Sequence, residues 1–80
     1  MHELSIALSI IEIAEEQLAR HRGRRIHAIH LRLGSSAGVA REALDFSFGL
    51  ACEGTSAAGS QLIVEDIEGT DLDIVRMEIE

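Results

Sequence analysis

Arg24-Arg25-Ile26-His27-Ala28-Ile29-His30-Leu31-Arg32-Leu33 is the stretch on which the fold turns. His27, Ile29, Leu31 and Leu33 alternate there with Ile26, Ala28, His30 and Arg32, the two-residue period of a β-strand with one covered face. The first set is the better core face, which makes His27 a core histidine in need of one hydrogen bond. Gly34-Ser35-Ser36-Ala37-Gly38 then breaks the pattern as a loop.

Upstream, Leu4, Ala7, Leu8, Ile11, Ala14 and Leu18 recur at helical spacing from Glu3 to about Arg22, and Ile6, Ile10 and Ile13 widen the stripe. A stripe this wide implies a helix that packs on a sheet and also touches a second helix or a partner. Glu3 in the first turn and Arg20 and Arg22 in the last suit the helix dipole, and Gly23 supplies the stop. Downstream, a helix from about Val39 to Glu53 places Val39, Ala43, Phe46 and Leu50 on one stripe, with Gly54 as terminator. Gln61–Ile67 follows as a strand with Leu62 and Val64 inward, then Leu72–Ile79 as another, with Glu68-Gly69-Thr70-Asp71 as a tight turn between them.

The order is helix, strand, helix, strand, strand. A strand–helix–strand unit favours a parallel pair, whereas a short turn requires an antiparallel one, so the sheet is expected to be mixed. Both helices then cover one face of three strands: an α+β, two-layer sandwich of order αβαββ.

Eighty residues make one domain, 1–80, with a small core. Apolar residues form 46% of the chain, but Phe46 and Phe48 are its only aromatics, so aliphatic side chains fill that core. Fourteen acids against seven arginines give a net charge of -7, which argues against nucleic acid as a partner. The charge is uneven, with Arg20, Arg22, Arg24, Arg25 and Arg32 close together and seven acids between Glu65 and Glu80. The lone Cys52 points to a reducing compartment, the cytoplasm. Glu3, Glu12 and the lack of a basic leader argue against a signal peptide, and no apolar run is long enough to span a bilayer.

Met1-His2-Glu3 is the strongest candidate for chemistry. The α-amine of Met1, the backbone nitrogen of His2 and its imidazole lie on one short stretch and can wrap a metal in fused chelate rings. Nickel(II) and copper(II) accept such nitrogen donors in square-planar geometry, and the Glu3 amide or carboxylate offers a further donor. His27 and His30, three apart on a strand, point to opposite faces and cannot share a metal. His21 sits near a helix C-terminus, where a cation is favoured anyway. Cys52 reads as a buried, inert thiol, and no nucleophile elbow or phosphate-cradling loop surrounds any serine or glycine, so the chain is not expected to be an enzyme.

Met1-His2-Glu3-Leu4-Ser5, the Ile6-Ala7-Leu8-Ser9-Ile10 helix, His30-Leu31-Arg32-Leu33-Gly34 and Ser36-Ala37-Gly38-Val39 together resemble the HypA/HybF metallochaperones. So do Glu42-Ala43-Leu44, Phe46-Ser47-Phe48, Glu53-Gly54-Thr55, Gly59 and the closing Met77-Glu78-Ile79-Glu80. The resemblance implies delivery of nickel for maturation of [NiFe]-hydrogenase, in some organisms urease, with a HypB-type GTPase and the hydrogenase large subunit as partners. It places the nickel ligands on His2, with adjacent backbone nitrogens and Glu3, and implies two helices on a mixed three-stranded sheet.

One departure stands out. The family carries two Cys-x-x-Cys pairs between its second and third strands, which hold a structural zinc, whereas here that space contains only Asp66 to Asp71. One cysteine cannot build a tetrahedral thiolate site, so no zinc is expected. The short link leaves two states open, a monomer and a dimer that exchanges the last strand. The alternative to a nickel carrier is a protein-interaction domain that keeps the fold without useful metal affinity.

Overall fold

The computed structural model describes residues 2–80; Met1, and with it the expected α-amine donor, lies outside the described residues. Helix α1 spans Glu3–Arg20, strand β1 Ile26–Gly34, helix α2 Arg41–Cys52, strand β2 Gln61–Ile67 and strand β3 Leu72–Ile79. The element order and the two-layer α+β architecture are those expected. Ile6, Ile10, Ile11 and Leu18 of α1, Leu44 and Phe48 of α2 and Ile26, Ile29 and Leu31 of β1 share one core, which puts both helices on the same face of the sheet. Half-buried Leu62 and Val64 of β2, as expected, pack against its margin.

The sheet is mixed, with strand order β2-β1-β3. β1 is central, parallel to β2 and antiparallel to β3, which is why Ile26, Ile29 and Leu31 are wholly buried. Glu68–Asp71 is therefore no hairpin turn between paired neighbours. It carries the chain from one edge of the sheet to the other, across the end of β1. The N–H of Gly34 donates to Asp71 O at 2.7 Å, and those of Ser35 and Ser36 donate to Ile67 O and Gly69 O, each at 2.8 Å. Gly34 is glycine because a Cβ there would run into the carbonyl of Gly69 and lie 2.9 Å from the nitrogen of Asp71.

Two faces differ from the periodic reading. The ladder between β1 and β3 slips between Ile26 and Ala28, so His27 bulges out. Ile26 takes the core position and His27 is exposed, which corrects its reading as a core histidine. On α2 the buried row is Leu44, Phe48 and Cys52, while Phe46 is 71% and Leu50 49% exposed. With two phenylalanines two residues apart, helical geometry lets only one face inward, and the small residues Ala43, Ser47 and Ala51 turn half-buried beside it.

Helix α1 likewise buries Ile6, Ile10 and Ile11 but leaves Leu4 and Leu8 about half exposed. It ends without using Gly23 as its left-handed residue. Arg22 takes that conformation at φ 53°, and the N–H of Gly23 closes on Leu18 O at 2.9 Å. No helix among the described residues is long and apolar enough to cross a membrane.

Candidate metal centre

His2 stands in extended conformation at the N-cap of α1. Its carbonyl accepts the N–H of Ile6 at 3.2 Å, the first bond of the helix, while its imidazole makes no capping bond and is exposed. The backbone nitrogens just beyond it belong to a first helical turn, whose N–H groups have no acceptor within the helix. An exposed imidazole beside such nitrogens is a chelating arrangement that needs no rearrangement of the core.

Glu3 does something the sequence did not disclose. Its Oε2 accepts the N–H of Ala40, the N-cap residue of α2, at 3.1 Å. That bond, and a second from its own backbone N–H, hold the carboxyl below the usual carboxylate range. The carboxylate thus ties the start of α1 to the start of α2 and fixes the backbone on which His2 is mounted. At the other end of the helix pair, Glu15 Oε2 accepts the hydroxyl of Ser56 at 2.8 Å. The helices consequently run side by side in the same direction.

The remaining histidines are occupied elsewhere. His21 Nδ1 donates to Gln17 O at 2.9 Å at the C-terminal end of α1, the structural role expected of it. His27 Nε2 donates to Glu80 Oε1 at 2.5 Å, and His30 Nε2 to Glu78 Oε2 at 2.6 Å. These contacts, with Arg24 on Glu80, fasten β3 to β1. The His30 bond holds the Glu78 carboxyl below its usual range, with Arg76 adding to the effect. Cys52 is buried, as expected; burial pushes its thiol up, and its nearest polar partner is Ser60 Oγ at 3.8 Å. Among the described residues no group of three or more His, Cys, Asp or Glu side chains converges to hold a metal.

A second feature lies beside that site. Leu4 and Leu8 are one turn apart on α1, Phe46 and Leu50 one turn apart on α2, and all four are 46–71% exposed. The pairs flank the seam where Ala43, Ser47 and Ala51 let the helices approach, forming an apolar strip on the outer surface of the helical layer. On α1 this agrees with the expectation that a stripe so wide meets more than the sheet, whereas on α2 the stripe read from Phe46 and Leu50 proves to be the exposed one.

Residues 1–74 match the family described as hydrogenase/urease nickel incorporation, metallochaperone, HypA. The hydrogenase maturation factor HypA of Chloroflexus aurantiacus is 52% identical over 67 residues, which cover 84% of this chain and 59% of that protein. The factor of the same name from Roseiflexus sp. is 49% identical over 67 residues, 84% of this chain and 54% of its own length. The chain therefore spans less than two thirds of the length of these curated relatives. Its fold superposes on the solution structure of the Ni metallochaperone HypA from Helicobacter pylori with a TM-score of 0.75, covering 100% of this chain and 94% of that one. At 14% identity that likeness concerns the fold alone. With the family pattern running from its first residue into its last strand, the chain belongs to the HypA family of hydrogenase/urease nickel-incorporation metallochaperones.

Proposed function

We propose that residues 1–80 form a nickel-binding metallochaperone domain that serves maturation of [NiFe]-hydrogenase, with urease as a second recipient in organisms that have both. The observation that carries this reading is His2: an exposed imidazole, free of any capping bond, on a backbone anchored through Glu3 and Ala40 in a chain of the HypA family. The proposed donors are the His2 imidazole, the backbone nitrogens of His2 and Glu3, and the α-amine of Met1. The Glu3 carboxylate serves as the anchor, so Glu3 contributes to nickel through its amide. The domain is a carrier and not an enzyme, it binds no structural zinc, and it acts in the cytoplasm, where a single buried thiol stays reduced.

Calorimetric titration with nickel tests the site. Untagged protein and the Glu3→Gln variant should bind one equivalent, whereas His2→Ala and a chain extended at its N-terminus should not. Equal binding by all four would reject the N-terminal site. Metal analysis of protein purified without chelators should find no stoichiometric zinc.

The exposed strip of Leu4, Leu8, Phe46 and Leu50 supports a second part of the reading, docking of partner proteins next to the metal. We assign this strip to the HypB-type GTPase and the hydrogenase large subunit, so that metal and partner meet on one surface. Retained partner binding by His2→Ala without any nickel binding in the parent protein would favour the interaction-domain alternative.

A further inference from the structure

Strand β3 hydrogen-bonds to β1 on one side only, and among the described residues nothing pairs with its outer edge. Beside that edge, between α1 and β3, run two adjoining clefts of ≈ 570 and ≈ 630 Å³ that share Ile13 and Ile74. Their apolar lining includes Ile6, Ile10, Leu72 and Met77, with Ile13 48% and Val75 42% exposed. An open strand edge alongside an apolar groove invites an added strand.

The edge itself selects the occupant. The ladder with β1 pairs His30 with Arg76 and Leu31 with Ile74, so Val75 is an extra, bulged residue. The bulge puts Asp73 and Arg76, three apart, on the same open face, opposite Arg32 and His30 respectively. A regular strand laid along this edge would match one half of it and present the wrong face to the other. A second copy, antiparallel about a two-fold axis midway between Ile74 and Val75, carries the same displacement at the same place. That register sets Leu72 against the partner's Met77 and Ile74 against the partner's Val75, all on the groove side. On the open face it sets Asp73 against the partner's Arg76, and by symmetry Arg76 against the partner's Asp73. Sliding the copies by two residues would oppose Asp73 to the partner's Glu78, two acids, and place Val75 against the wrong face.

We propose that β3 is a self-pairing edge, through which two copies join into one six-stranded sheet with reciprocal Asp73–Arg76 ion pairs and merged α1–β3 grooves. One strand and one groove from each copy make a small interface, so the association is reversible and depends on concentration. It differs from strand exchange, because each β3 keeps its pairing with its own β1, and it is independent of the nickel site.

The test is sedimentation equilibrium on the untagged chain, over a wide range of concentration, with charge-reversal variants at the two exposed positions. The parent protein should show a monomer–dimer equilibrium. Asp73→Arg and Arg76→Asp should each weaken it about tenfold, because reversal turns two attractive cross-strand pairs into two repulsive ones. Mixing the two variants restores both ion pairs, so the mixture should dimerise better than either variant alone. A parent that stays monomeric throughout would overturn the proposal. So would a dimer indifferent to both reversals, or a mixture no tighter than its components, the behaviour of a strand-exchanged dimer.

Discussion

The carboxylate of Glu3 and the backbone N–H of Ala40, 37 residues apart in sequence, meet at 3.1 Å. This contact joins the starts of the two helices and gives Glu3 a structural role that does not depend on any metal. Because the folded pKa of Glu3 is lowered, its contribution to stability is present above its ordinary value of 4.5 and lost as pH falls through the folded pKa. Glu3→Gln should therefore lower the urea midpoint at pH 7 and leave it unchanged near pH 2, where the parent carboxylate is protonated as well. Equal effects at both pH values would show that the anchor does not depend on charge.

Nickel binding should weaken in acid. The proposed donors must lose protons before they ligate, so apparent affinity falls steadily on acidification below neutrality. Calorimetry across pH in several buffers should also record proton release on binding. A pH-independent affinity with no proton release would exclude the His2 imidazole and the α-amine.

Gly34 and Gly49 should respond in opposite directions to alanine. A Cβ on Gly34 meets the Glu68–Asp71 crossing, whose backbone has no room to yield, so Gly34→Ala should cost about 1–3 kcal/mol or more. Gly49 lies inside α2 with nothing within 4 Å of its added Cβ. Gly49→Ala should stabilise the fold by about 0.5–1 kcal/mol, since glycine is the poorer helix former. Thermal melts of both variants check the pair.

The His30–Glu78 bond gives a spectroscopic prediction. The Glu78 carboxyl titrates below its ordinary value mainly because His30 donates to it, so His30→Gln should raise the Glu78 pKa in an NMR titration. By the sign of that shift, the bond stabilises the fold above about pH 4.5 and loses its effect as acid protonates Glu78. An unmoved Glu78 in the variant would assign the lowering to Arg76 instead.

The two phenylalanines separate packing from surface. Phe48 is 3% exposed in the core, and Phe48→Ala should cost about 3–5 kcal/mol. Phe46→Ser, at a position 71% exposed, should change stability by no more than about 0.5 kcal/mol. On the docking assignment above, it should nevertheless weaken capture of the GTPase partner. Denaturant titration reads the first difference and a pull-down of the purified partner the second.

Element order and strand limits were legible because local chemistry writes them. Gln61–Ile67 and Leu72–Ile79 are bounded by Ser, Gly and Asp, and the period changes from two to helical on either side of Gly34-Ser35-Ser36-Ala37-Gly38. His2 was legible as a site candidate because the proposed donors are consecutive in the chain. His27 was misread because a bulge adds one residue at the start of β1, which puts Ile26 in the core in its place while Ile29, Leu31 and Leu33 keep the expected face; no composition marks it. Phe46 and Phe48 are equally apolar, and nothing in α2 taken by itself says which of them faces the core.

The sequence alone therefore determined the αβαββ order and the mixed sheet, both of them matters of short-range spacing. Only the tertiary structure decided that β1 lies between its partners, that the Glu68–Asp71 link crosses over Gly34, and that the Glu3 carboxylate is bonded to Ala40. The physical reason is that these depend on which distant backbone groups must satisfy one another once the core has closed. Competition among elements for that small core sets the choice, and no period within a single element records its outcome.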